Sequence, residues 1–174
     1  MFFQKSLAIL VILAIITGCR QTVKKEFWPD GTIKSEIHVK GDLYQGKATW
    51  WYENGTKQME CIYENNRLNG AMIRWHENGV KQDERSYKEG KPDGPFASWD
   101  ALGNIQVMGH YRQGLLDGPY KEWSPEKQLK AEGQYRSGEF DGQWMYYDKK
   151  GQITEIRNYS NGKLITRTKE EISN

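Results

Sequence analysis

The sequence predicts an all-β fold, an elongated single antiparallel meander of tandem 24-residue β-hairpin repeats. Three observations predict it. Aromatic residues recur at a fixed step: Trp51, Trp75, Trp99 and Trp123 stand 24 residues apart, with Phe27 before them and Tyr147 after. A second column runs Tyr63, Tyr87, Tyr111, Tyr135 and Tyr159. Glycines keep the same period in three phases, Gly31, Gly55, Gly79, Gly103 and Gly151, then Gly46, Gly70, Gly94, Gly118 and Gly142, then Gly90, Gly114, Gly138 and Gly162. Self-similarity at a fixed period marks a repeat architecture.

The amino terminus comes first in the chain and reads as an address. Lys5 precedes an unbroken apolar run from Leu7 to Ile16, about half the roughly 20 residues of a membrane-spanning helix. A charged start, a short apolar stretch and a small-residue exit mark a secretory signal over residues 1–18. Ile16-Thr17-Gly18-Cys19 resembles the bacterial lipobox, and that resemblance implies cleavage before Cys19 and lipid attachment to it. Arg20 follows in place of an Asp, which by the same resemblance directs the protein to the outer membrane where the host has one. Residues 19–26, with Lys24 and Lys25, read as a tether. Cys61 is then left without a partner, so no disulfide holds the fold.

The body, residues 27–165, is a single array. Asp30-Gly31, Asn54-Gly55 and Asn78-Gly79 form one set of turn signals; Gln45-Gly46, Asn69-Gly70 and the Asp-Gly pairs at 93, 117 and 141 form a second. Such pairs accommodate the positive φ angles of tight hairpin turns. Between them lie aromatic-rich segments such as Thr56 to Tyr63, too short for helices and suited to strands. Two strands and two turns per copy give a meander in which equivalent residues form rows across the sheet. Residues 166–174 read as a polar cap or tail, a frayed turn of helix.

Composition fits this reading. Only 37% of the chain is apolar, 28% is charged and the mean hydropathy is −0.86, yet it carries seven Trp and ten Tyr. Each covered aromatic removes about 150–250 Å² from water, so registered aromatic rows can replace an aliphatic core. The near balance of 25 basic and 23 acidic residues gives no counterion-release drive, which excludes a nucleic-acid partner.

The pattern Trp75-His76-Glu77-Asn78-Gly79, through Tyr87 and Gly90 to Asp93-Gly94, resembles the variant MORN repeat of bacterial YwqK-like proteins. The resemblance covers about residues 27–165 and implies a β-hairpin platform for protein contacts. Proteins similar to these are labelled antitoxin components, which implies a partner-neutralising role as one alternative. The sequence departs from the pattern at Leu102-Gly103 and at Glu126-Lys127. A second resemblance, of Gln143 to Asp148 with Gly151, is to cell-wall repeats that cage choline or stack on glucan.

Catalytic chemistry finds no support. Gly41 to Lys47 nearly spells a phosphate-cradling loop, but Ala48 stands where Ser or Thr is needed and no helix follows. His38, His76 and His110 lie too far apart in a sheet to share a metal and are expected at the surface. Glu36, Glu60, Glu84 and Glu132, beside Lys57, Lys81 and Lys130, read as a charge-compensated face. The expectation is a non-enzymatic, lipid-tethered envelope protein without metal or cofactor. It presents Trp51, Trp75, Trp99, Trp123, Tyr147 and the Tyr column from Tyr63 to Tyr159 for packing and binding. A protein partner is favoured, with a glycan or choline-like ligand as the alternative.

Overall fold

The computed structural model describes residues 11–12 and 21–169, and Cys19 lies outside them. The strands are β1 (Val11–Ile12), β2 (Gln21–Phe27), β3 (Ile33–Lys40), β4 (Leu43–Trp51), β5 (Lys57–Glu64), β6 (Arg67–Trp75), β7 (Lys81–Lys88) and β8 (Lys91–Trp99). They continue as β9 (Ile105–Arg112), β10 (Leu115–Leu116), β11 (Gly118–Trp123), β12 (Leu129–Arg136), β13 (Glu139–Tyr147), β14 (Ile153–Ser160) and β15 (Lys163–Lys169). Each strand pairs antiparallel with its sequence neighbour in one open sheet, the two-residue β10 pairing with β9 beside β11. Among the described residues there is no helix long and apolar enough to cross a membrane.

Asn54-Gly55 and its equivalents sit in five-residue loops. In Tyr52 to Thr56, the Tyr52 N–H donates to the Thr56 carbonyl at 2.9 Å and the Gly55 N–H to the Tyr52 carbonyl at 3.0 Å. Asn54 Oδ1 accepts from the Thr56 N–H at 2.9 Å, while its Nδ2 donates to the Glu77 carbonyl of the next copy at 3.0 Å. Asn78 repeats both bonds, to Val80 and to Ala101. Where Leu102 replaces this Asn, Asp100 takes over the turn and accepts from the Leu102 and Asn104 N–H groups, each at 2.9 Å. Asp148 does the same for Lys150 and Gln152, and Lys127 adopts φ 68° where the other copies place Gly.

The second set of turn signals is not at turns. The second reversal of each copy is a two-residue hairpin turn at the third glycine phase, as at Glu89-Gly90 with φ 51° and 83°, or at Asn65-Asn66 with φ 50° and 65°. Positive φ at both central residues is the hairpin geometry that matches strand twist. Asn69-Gly70 instead lies inside β6, where the pairing of β5 with β6 slips between Cys61 and Tyr63. This is a β-bulge. Gly70 has φ 113° beneath the Ile62 side chain, which would stand 3.3 Å from an added Cβ, so both conformation and space call for glycine.

In four copies the polar residue before the bulge glycine anchors the tight turn of the following copy. Gln45 accepts from the Asn65 N–H at 3.1 Å, Asp93 from Gln113 at 3.1 Å and Asp117 from Ser137 at 3.1 Å. Beside them the Gly90 N–H donates to the Leu68 carbonyl and the Gly114 N–H to that of Pro92. The copies with Asn54 and Asn78 are thus stapled to the next at both ends of their strands, the copies with Leu102 and Glu126 are stapled at the tight-turn end, and each staple contributes about 1 kcal/mol net. Stability therefore accumulates copy by copy.

The array is longer than expected. Residues 21–26, read as tether, form with Phe27 a strand paired with β3 along its whole length. Lys163–Lys169 is likewise a strand, so the expected helical turn at Thr166 gives way to an added β15 paired with β14; its alternating Leu, Thr and Arg suit a strand. Full burial is sparse in this single layer: among the described apolar residues only Val39, Ala48, Cys61, Met72, Ala131 and Trp144 are buried.

Candidate functional site

Side chains alternate across a strand, and residues directly paired share a face. Following the pairing from Met59 through Arg74, Asp83, Ser98, Val107, Glu122, Ala131 and Tyr146 to Glu155 gives one continuous row on one face. The two aromatic ladders fall on opposite faces. Tyr63 and Tyr87 pack with Ala48, Cys61 and Met72 on the face of that row. Lys57 and Lys81 place the Trp column on the other face: each bonds a Glu of the Glu column and also lies over the Trp of the next copy.

The Trp-column face is polar and closed on itself. Lys57 Nζ sits 5.5 Å from the Trp75 ring centre and Lys81 Nζ 5.2 Å from that of Trp99. Glu36 pairs with Lys25, Glu60 with Lys47 and Lys57, Glu84 with Lys81, and Glu132 with Lys121. Hydrogen bonds from Lys121 and Tyr147 hold the Glu132 carboxyl below its ordinary value. Burial, with the Glu132 bond, pushes the Tyr147 hydroxyl up to about 12. The compensated face expected of the Glu column is present, with one correction. Lys130 pairs with Glu122 on the opposite face, and Lys121 takes Glu132.

The Tyr-column face carries an aromatic floor in its second half. Trp144, 2% exposed, donates from Nε1 to the Gln134 carbonyl at 3.0 Å. Phe140 meets its ring at 4.6 Å and 79°, Tyr135 at 5.1 Å and 81°. Tyr120 joins Tyr135 edge-on, Phe96 packs on Tyr111, and Phe140 stacks on Tyr159. Burial raises the hydroxyl pKa values of Tyr120 and Tyr135. Gly109 and Gly133 make room for the floor. A Cβ on Gly109 would stand 2.7 Å from Phe96, and one on Gly133 2.5 Å from Trp144 Cε2. These two glycines are themselves one period apart, a signal outside the three glycine columns.

At each end of the floor a carboxylate sits between two arginines. Asp83, 2% exposed, accepts from Arg74 Nε at 2.5 Å on Oδ2, and its Oδ1 lies 3.4 Å from Arg85 Nε. Neither that oxygen nor Arg85 Nε has a hydrogen-bond partner. Both arginine side chains remain about two-fifths exposed, beside a shallow depression of about 400 Å³ that also touches Trp99 and Gln106. Three copies on, Glu155 is bonded by Arg157 through Nε at 2.8 Å and Nη2 at 3.1 Å, and by Arg167. Those bonds hold its carboxyl down to about 2. Arg157 lies 4.4 Å over the Tyr146 ring.

The histidines are dispersed, and no three His, Cys, Asp or Glu side chains form a metal set among the described residues. His76 is not a plain surface residue. It occupies the column of Trp28 and Tyr52, and its Nε2 lies 3.0 Å from the Trp99 carbonyl, as Tyr52 OH donates to the Trp75 carbonyl at 2.9 Å. Trp50, outside the aromatic columns, lies on the more apolar face, and so does Trp144, which ends a third aromatic column with Phe96 and Tyr120 at the same 24-residue step.

Comparison with known proteins follows the same period. A search of characterised proteins returns no significant match. Among solved structures, the GtfA/B complex bound to UDP and GlcNAc is similar at 11% identity and a TM-score of 0.27, over 78% of this chain and 28% of that one. The chain thus spans under a third of that structure's length. The MORN repeat variant profile matches residues 20–40, 44–65, 68–89, 116–137 and 140–161, passing over the copy with Leu102 and Gly109, where the sheet nonetheless continues unbroken. With five matched copies spread over most of its length, the chain belongs to the MORN repeat variant family.

Proposed function

We propose that this protein is a lipid-anchored, non-enzymatic platform of the bacterial cell envelope, tethered through Cys19, whose Tyr-column face receives a protein partner. The observation that carries the reading is the aromatic floor. Around the buried Trp144 its rings are half-buried on a sheet face with no second layer among the described residues, and a repeat of this family suits a binding surface. A face lined by Tyr, Phe and Arg has the composition of interface cores. Trp144, 2% exposed, offers no open ring face for a sugar to stack on, which favours a protein over a sugar ring. Lysines over Trp75 and Trp99 fill the positions that a choline-like cation would need. An envelope address also sets the partner apart from a cytosolic toxin.

Two experiments test this reading. Cys19→Ser is expected to release the folded protein from membranes, and retention of the variant there refutes the anchor. A photo-crosslinking residue at Ser98 or Val107, on the Tyr-column face, is expected to trap a protein in intact cells. The same residue at Met108, on the other face, is expected to trap far less. Adducts from Met108 alone, or none from any position, refute the face assignment.

A further inference from the structure

Two arginine pairs bracket the aromatic floor, and they are built alike. Asp83 and Arg85 correspond to Glu155 and Arg157 at a separation of three copies, each with another arginine, Arg74 or Arg167, supplied by an adjacent strand. In each cluster one carboxylate is held between two guanidinium groups, leaving one positive charge in excess. The carboxylates fix the arginines from below, and the guanidinium tips reach solvent. A guanidinium presents five N–H donors, so an aligned pair with one internal partner keeps donors for an incoming carboxylate. From β7 to β14 there are six strand steps, so the clusters stand roughly 29 Å apart along the sheet. Between them the row holds one acid, Glu122, already paired with Lys130.

We propose that the partner's docking segment is a chain with an apolar stretch flanked at both ends by carboxylates, the acids seating on the Arg74–Arg85 and Arg157–Arg167 pairs and the apolar stretch on the floor. This rests on the face assignment made above and adds the partner's charge pattern and length to it. In extended form about nine residues span the roughly 29 Å between the pairs.

The test uses the full chain in detergent micelles and fluorescein-labelled synthetic peptides, read by anisotropy. One peptide has two Glu residues at each end of a nine-residue Leu/Val/Thr centre. The controls have the same centre with Lys or with Gln ends, or a four-residue centre with Glu ends. The long acidic peptide is expected to bind about tenfold tighter than each control, and raising the salt from 50 to 300 mM should remove most of that preference. Changing Arg74 and Arg85 to Gln, or Arg157 and Arg167 to Gln, should each cost about tenfold for the long acidic peptide and little for the Gln-ended one. Arg157→Lys, which keeps charge but loses the planar fork, should fall between. Equal binding of Gln-ended and Glu-ended peptides overturns the bracket while leaving the platform standing. No binding of any peptide overturns both, and displacement of the peptide by an N-acetylglucosamine hexamer overturns the proteinaceous occupant.

Discussion

Gly133→Ala isolates the packing that shapes the floor. Gly133 sits within β12 without a positive φ, so the substitution carries no backbone strain and acts through space alone. An added Cβ would meet Trp144 at Cε2 and Cγ, at 2.5 and 2.6 Å, with Cδ2 closer still. The indole must then tilt or leave. Expelling a ring that covers about 150–250 Å² forfeits about 4–6 kcal/mol at roughly 25 cal/mol per Å². Tilting it in place costs about 1–3 kcal/mol, as overpacking does. The lower chain entropy of alanine offsets about 0.5–1 kcal/mol. A net destabilisation of about 3 kcal/mol is expected in urea unfolding, with a red-shifted tryptophan emission in the native state as the buried ring becomes wet. The decisive arm is the double variant. In a Trp144→Ala background the clash has no object, so Gly133→Ala should be neutral or slightly stabilising, a coupling of about 3 kcal/mol. A Gly133→Ala protein within about 0.5 kcal/mol of wild type, or a cost that persists undiminished without the indole, rules out the clash.

Trp144→Ala should cost about 3–5 kcal/mol and Trp99→Ala about 2 kcal/mol, because Trp99 is half-buried beneath Lys81; the reverse order in urea titrations contradicts the burial of the two ladders. Asn78→Ala removes a turn bond and the bond to Ala101, and should lower stability by about 1–2 kcal/mol, with amide exchange accelerating first in residues 76–80 and 100–104. Burial pushes the Cys61 thiol up to about 11, the Tyr63 bond opposing and Glu60 adding to the rise. Its unfolded-state value is about 8.5, so the folded state favours the protonated thiol. This stabilisation is complete below about pH 8.5 and is lost as pH rises to about 11, amounting to about 3 kcal/mol at most. Cys61→Ala should therefore flatten the alkaline decline of stability, and a Cys61 that reacts rapidly with a thiol reagent in the folded protein at pH 7 refutes its burial.

The period carried most of the architecture. Column residues such as Tyr63 and Trp75 announced strands, rows and register, because a 24-residue step with no insertion leaves little freedom once strands pair. Turn placement was harder. Asn-Gly and Asp-Gly suit a tight turn and a bulge equally, since both need a positive φ, and Asn69-Gly70 took the bulge because Asn65-Asn66 already closed the hairpin. The faces were the least legible. Trp50 and Trp51 are adjacent in sequence and project to opposite sides, and the bulges shift the parity that simple alternation would supply. The arginine brackets stayed hidden for a different reason. Asp83-Glu84-Arg85 and Glu155-Ile156-Arg157 look like ordinary charged strand segments, and Arg74 and Arg167 join them only through cross-strand pairing.

The staples between copies connect each repeat only to the next, at the tight-turn ends and, through Asn54 and Asn78, at the loop ends as well. Such a chain can lengthen or shorten by whole copies without disturbing its joints. Each added or deleted copy would move features on a face apart or together by two strand widths, roughly 10 Å. The distance between the two arginine brackets is thus set in discrete steps, and the protein is built as a ruler whose graduation is the repeat itself.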